Sequence, residues 1–360
     1  MGDSLSLLER SDLRRQCRGK RIALAILLGL VVIFFFLSLM VGPANIGMGN
    51  SFLALFGVGE ASSVRIVQKI RLPETIAAVV AGAGLSIAGL MMQSTLKNPL
   101  ASPSTLGVSN AAVFGANLSI IAFAGGFLNT GNHPDQFMTG VNPYATGLVA
   151  FGFALLSSFA ILILCRIRSF APEVVVLAGL AMGTVWTALT SLLQYYATDV
   201  GLSAAVVWSF GDLSRATFET DWIMFAVVLA AGAFFYFFQW KFNVLSGDEA
   251  VASSVGVRVA LLRFVALAVS SLVTAVCVSI LGIIGFVGII CPHAMRRIVG
   301  NNHRFLIPGS LLSGSLLLLI SMVVSALVGN GSALPVGAIT ALLGGPFFLY
   351  LVFAKKGEKA

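Results

Sequence analysis

The side chains that could do chemistry in this chain are few, and their spacing defeats most of it. Three histidines (His133, His293, His303) and four cysteines (Cys17, Cys165, Cys277, Cys291) are scattered over 360 residues with no CxxC pair and no HExxH helix. A zinc site and a disulfide framework therefore lack ligands at workable separations. No GxSxG elbow and no GxxxxGK[ST] phosphate loop occurs, so acyl transfer has no nucleophile and any ATP and Mg²⁺ must be bound by partner subunits. Glu74, Glu173 and Asp221 fall at the edges of apolar blocks, which removes the midspan carboxylate that a proton or sodium relay uses. The chain is predicted to be no enzyme, with no cofactor or metal ligands of its own.

The elements around these residues are read from composition. Hydrophobic residues make up 58% and charged residues 10%, with mean hydropathy +0.98, whereas a water-soluble domain carries roughly 25% charge. The apolar residues fall in blocks long enough to cross a hydrocarbon core about 30 Å thick as helices, and they are apolar on every side, unlike barrel strands. Ten spans are predicted: Ile22–Val41, Glu74–Thr95, Ser104–Ala124, Pro143–Leu164, Val174–Ala197, Trp222–Trp240, Val259–Leu281, Gly285–Val299, Phe305–Val328 and Pro335–Ala354. The eighth is short and follows the hairpin Gly282–Gly285, so it is expected to begin partway into the membrane. With an inside N-terminus, 18 of the 22 Lys and Arg lie on one side; only Arg65, Lys69, Arg71 and Arg215 lie on the other. Both termini are thus predicted to be cytoplasmic, and the net charge of +8 reflects topology rather than nucleic-acid binding. The expected fold is an all-α polytopic membrane protein: a basic tail over 1–21, one transmembrane domain over 22–354 and a short tail over 355–360.

Some polar and small residues within this frame are candidates for transport. The second span holds Gly82-x-x-x-Ser86 and Gly84-x-x-x-Ala88, spacings that let helix backbones approach closely. Met91, Met92 and Gln93 follow and could line a wide pathway, or equally face lipid or pack against neighbouring helices; Gln194 of the fifth span is a further pathway candidate. Asn98-Pro99-Leu100 and Pro103 must leave helical geometry in a short, defined loop. On the same side, Ser246 could cap a helix over about 246–257 whose first turn holds Asp248 and Glu249 and which Gly256 stops. Such a helix could dock in a partner's cleft.

In order along the chain, Arg71-Leu72-Pro73, Asn98–Ala101 with Leu106–Ser109, Gly256-Val257, Gly285–Gly288 with Pro292-His293, His303-Arg304, and Leu334–Gly337 leading to Gly344–Phe348 resemble the FecCD-type permeases. These are membrane subunits of bacterial ABC importers for ferric siderophores, haem and cobalamin. The resemblance implies a multi-pass protein of the cytoplasmic membrane that pairs with a second permease copy, engages two cytoplasmic ATPases and receives ligand from an external binding protein. It implies ATPase coupling through Gly247, Asp248, Glu249, Ala250, Val255, Gly256 and Val257. The implied inner gate comprises Asn98, Pro99 and Leu100 with Pro172 and Glu173, where family members more often carry small hydroxyl residues. It places Arg71 on the docking rim and Glu74 where arginine is frequent; docking could instead be built from other residues such as Arg65, Lys69 and Arg215, and the insertion Gly125–Asn142 could add to that surface. A stand-alone carrier driven by an ion gradient is the alternative.

Overall fold

The computed structural model describes residues 2–42, 44, 46–124, 142–167, 170–329 and 334–353; the insertion from Gly125 to Met138 and on to 141, and the terminal tail over 354–360, lie outside them. The described residues form helices and connecting turns with no strand. Their order is α1 Gly2–Met40, α2 Met48–Leu55, α3 Ala61–Ile66, α4 Leu72–Thr95, α5 Val108–Asn117, α6 Pro143–Ile167, α7 Pro172–Tyr195, α8 Asp199–Ser209, α9 Phe218–Phe237, α10 Gln239–Gly247, α11 Glu249–Ser254, α12 Val259–Leu281, α13 Val287–Val299, α14 His303–Val328 and α15 Val336–Phe353. Wider π-type turns join α3 to α4 (Val67–Arg71) and extend α5 to Phe123. Seven helices are long and apolar enough to cross a membrane, and Val108–Phe123 and Val336–Tyr350 are shorter apolar helices.

The predicted spans agree with these helices to within a few residues. Three differences have physical causes. The segment read as a tail continues α1 without a break, because residues 2–18 contain no proline or glycine after Gly2 and several good helix formers. The third span starts at Val108 rather than Ser104, because Gly107 takes φ +72° and resets the chain direction. The short helices α2, α3 and α8 were not expected, since each is too brief to leave a period in the sequence.

At the centre stands α4, with 19 of its 24 residues buried against α14, α12, α13 and α9. Its small residues account for that. A Cβ on Gly82 would lie 2.3 Å from the Gly314 carbonyl oxygen of α14, and one on Gly89 would lie 1.9 Å from that of Gly288 in α13. Both are backbone-on-backbone crossings that only glycine permits. Gly84 faces side chains instead, Val228 and Val273.

The ends of α4 define the two ends of the bundle, about 36 Å apart at 1.5 Å per residue. At the Arg71 end, three non-helical segments meet: Asp212 N donates to Leu281 O at 2.8 Å, Gly337 N donates to Gly211 O at 2.9 Å, and Phe210 bridges to Ile283. Helix α13 leaves this junction from Phe286 at φ +66°. Its 13 residues span about 20 Å, too short for a full crossing. Cys165, Cys277 and Cys291 are buried free thiols and Cys17 is half-buried.

Candidate translocation groove and its couplings

The loop after α4 is held in one shape by local bonds. Lys97 turns at φ +47°, and Asn98 Oδ1 accepts the Leu100 amide at 2.9 Å, the side-chain turn that asparagine favours. Ser102 N donates to Thr105 Oγ1 at 3.0 Å, Thr105 Oγ1 donates back to Ser102 O at 2.7 Å, and the Ser102 and Ser104 hydroxyls meet at 2.8 Å. The loop then packs backbone to backbone on α7. A Cβ on Gly179 would sit 2.8 Å from Leu106 Cα, and one on Gly107 would sit 2.8 Å from Gly183 N.

Between this loop, α5 and α7 runs a groove of about 350 Å³ whose lining includes Asn98, Leu100, Ser104, Thr105 and Asn110 on one wall and Val176, Leu180, Thr184 and Thr187 on the other. None of its lining residues is charged. Asn110 Nδ2 joins the walls, donating to Gly183 O and to Thr187 Oγ1, both at 3.1 Å. Thr184, Thr187 and Ser191 are exposed on one face of α7. Gln194 continues that face, half-buried, and donates to Asn117 Oδ1 at 2.9 Å. These amides and hydroxyls can hydrogen-bond neutral ligand groups, and the groove's lining holds no carboxylate, imidazole or thiolate that would ligate a bare metal ion. A larger cavity, 590 Å³, lies between α6, α9 and α12; its one charged lining residue is Arg215, whose guanidinium is taken up by the carbonyls of Trp208 and Val207 at 2.8 and 2.9 Å.

The structure places the expected pathway residues differently. Met91 and Met92 are fully buried and Gln93 is 3% exposed, because the whole second half of α4, Gly84 to Thr95, is buried in protein. Gln93 Nε2 instead donates to Gly288 O and Ile289 O at 3.1 and 3.3 Å, and its carbonyl accepts from Arg296. Gln93 thus holds α13 to α4, and Met91 and Met92 pack in the hydrophobic core. Of the expected gate, Asn98 and Leu100 line the groove, Leu100 being exposed. Pro99 is exposed beside them. Pro172 opens α7 as its first residue, and Glu173 follows it exposed; both stand about one turn below the groove wall at Val176, outside its lining.

The expected coupling helix is split. Ser246 belongs to α10 and its hydroxyl donates to Phe242 O; the cap is Asp248, which accepts the Ala250 amide at 2.9 Å, because aspartate at a helix start also meets the positive dipole end. Gly247 ends α10, and its carbonyl accepts from Lys97 Nζ at 3.3 Å. Glu249 is ion-paired with Arg263. Val255 is exposed, Gly256 takes φ +84°, and Val257 is buried. Arg263 is one of the 18 Lys and Arg predicted on the inner side, and an arginine five residues into an apolar span is itself a signal of a partner. Buried His303 lies 2.8 Å from Asn243 Oδ1 and 2.9 Å from Ser94 Oγ, partners that the His303-Arg304 motif does not reveal.

At the other end Arg65 and Lys69 are exposed and Glu74 is half-buried. Arg71, expected on the docking rim, is 3% exposed. Its guanidinium lies over Gly42 and donates to Leu39 O, Met40 O, Ala44 O and Ser51 Oγ. Arginine's planar fork satisfies the free carbonyls at the end of α1, which have no acceptor role left within the helix. Arg71→Ala is therefore expected to cost about 2–3 kcal/mol of stability, read as a lowered melting midpoint in detergent. A buried charge gives little steering, so the association rate of a soluble docking partner should not change beyond that loss.

The comparisons with known proteins agree with this geometry. The sequence profile of the FecCD transport family matches residues 30–354. An ABC transporter permease of Methanocaldococcus jannaschii is 42% identical over 90% of this chain and 93% of its own. A cobalamin import system permease of Halobacterium salinarum is 36% identical over 82% and 75%. An iron(3+)-hydroxamate import system permease of Bacillus subtilis is 30% identical over 92% and 96%. Among solved structures, an inward-facing metal-chelate type ABC transporter aligns with a TM-score of 0.79 at 28% identity, over 93% of this chain and all of that one. An enclosed α4, a glycine-packed loop on α7 and a profile match over most of the length lead to one conclusion: the chain belongs to the FecCD transport family and is a multi-pass membrane transport subunit, not an enzyme.

Proposed function

We propose that this chain is the permease subunit of an ATP-driven importer of an iron chelate or a related large metal-bound ligand such as haem or cobalamin. The observation that carries this reading is the placement of α11, a small capped helix with Val251 and Val255 exposed, at the same end of α4 from which the groove loop springs. A partner ATPase seated on α11 would act directly on that loop, and a second permease copy facing α7 would complete the pathway. Counted as the seven long helices with α5, α15 and the partial crossing of α13, the spans would leave both termini on the Lys97 side. The exposed Arg65 and Lys69 then face an external binding protein. Alternation between outward- and inward-open states follows from differential affinity for the ATP-bound partner.

The test is to tag the C-terminus, purify in mild detergent and identify co-purifying chains by mass spectrometry. Uptake of a radiolabelled ferric hydroxamate and of cobalamin into liposomes is then measured with and without ATP. A stoichiometric subunit bearing a phosphate loop and ATP-dependent uptake is expected. A chain that comes out alone and transports under an ion gradient would overturn the reading in favour of a secondary carrier.

A further inference from the structure

Arg263 is the fifth residue of α12 and 4% exposed. Its guanidinium pairs with Glu249, the first residue of α11, while its Nε donates to Thr95 O at 3.0 Å. Thr95 is the last residue of α4, so its carbonyl is one of those a helix leaves without an internal donor, at the negative dipole end. One cation thus holds the end of the enclosed helix and the start of the exposed one. The Thr95 hydroxyl is turned back onto Met91 O and Met92 O at 2.7 and 3.2 Å, so the contact made by Arg263 is with the main chain, two residues before the Lys97 turn.

Little else fastens α11. Ala252 is its one buried residue, and among the described residues no other side-chain hydrogen bond leaves the helix. The nearest additional tie is the exposed contact from Lys97 Nζ to Gly247 O. On its other side the last turn of α4 is held to α13 by Arg296 on Gln93 and to α14 by His303 on Ser94. We propose that Arg263 is the tie through which displacement of α11 reaches the loop over 97–107, so that it sets how much gate movement each partner movement produces. It is a positioning residue, and its role rests on the importer reading.

The test uses Arg263→Lys in the intact complex. A lysine keeps the charge but can reach Glu249 or the Thr95 carbonyl, not both in a planar fork. An environment-sensitive fluorophore is placed at Leu100 (51% exposed) or at Val251 (53% exposed), and the response to ATP is read at each. Wild type is expected to respond at both sites. Arg263→Lys should respond at Val251 and not at Leu100, with ligand transported per ATP reduced about tenfold or more. A Leu100 response equal to that of wild type overturns the tie and leaves the importer reading intact. Absence of any ATP response at Val251 in wild type overturns both. Glu249→Gln is the second variant should Arg263→Lys fail to assemble: the substituted side chain is 43% exposed, Arg263 keeps the Thr95 carbonyl while losing its ion pair to α11, and loss of the Leu100 response is again expected.

Discussion

Gly89→Ala is expected to produce a chain that inserts but does not hold its bundle, with a loss of about 3 kcal/mol or more. The added methyl carbon would sit 1.9 Å from Gly288 O, 2.4 Å from its carbonyl carbon and 2.5 Å from its Cα, where ordinary contact begins near 3.4 Å. No rotamer relieves this, because every clashing atom is main chain. The helices α4 and α13 would have to part by about 1.5 Å, which opens a packed interface along its length. Separation also breaks the Gln93 bonds to Gly288 O and Ile289 O, leaving buried polar groups unpaired at about 1–3 kcal/mol each. Two controls separate this from a general intolerance of change. A Cβ on Gly84 meets the end of a side chain, Val228 Cγ2 at 2.6 Å, and one on Gly152 meets nothing within 4 Å. Melting in detergent should therefore fall steeply for Gly89→Ala and moderately for Gly84→Ala. For Gly152→Ala it should hold or rise, since alanine is the better helix former. Equal midpoints for Gly89→Ala and wild type would refute the close crossing.

The small-residue spacing of the second span was legible in the sequence, and so were the seven long apolar helices. Length and apolarity set where a helix crosses a membrane, and both are counted directly. What the sequence hid was which side of an apolar helix meets lipid and which meets protein. In the second span lipid and protein are equally hydrocarbon, so Met91, Met92 and Gln93 read as a possible lining when they are enclosed. Gly256 was legible as a stop because only glycine takes φ +84° without strain. The cap before it was misplaced from Asp248 to Ser246, since both residues accept amide bonds and two positions differ by a fraction of a turn. Arg71 read as a rim charge from its position in the chain; the carbonyls at the end of α1 that bury it come from residues about thirty positions earlier. Asn110 and Gln194 reach across to neighbours 73 and 77 residues away, and no local pattern announces such pairs.

The second large effect is expected at Gly107. It combines φ +72° with a backbone neighbour: a Cβ there would lie 2.8 Å from Gly183 N, 3.0 Å from Gly183 Cα and 3.3 Å from Gly179 O. Valine must bear left-handed strain of about 1–2 kcal/mol or more and must also push the loop off α7. Asn110 lies three residues on, so its bonds to Gly183 O and Thr187 Oγ1 are lost in either case, and the two walls of the groove come apart. Under the proposed function, Gly107→Val should lower ligand uptake in liposomes about tenfold or more, equivalent to roughly 1.4 kcal/mol on the transport step. Insertion and ATPase co-purification should persist, because the change lies away from α11. Gly107→Asn divides strain from clash: asparagine tolerates the left-handed region, yet its Cβ meets the same backbone. Uptake should stay low in this variant as well. Recovery with asparagine would mean that φ alone matters and that the loop does not need its seat on α7, whereas continued loss identifies the Gly107–Gly183 contact as what holds the groove closed.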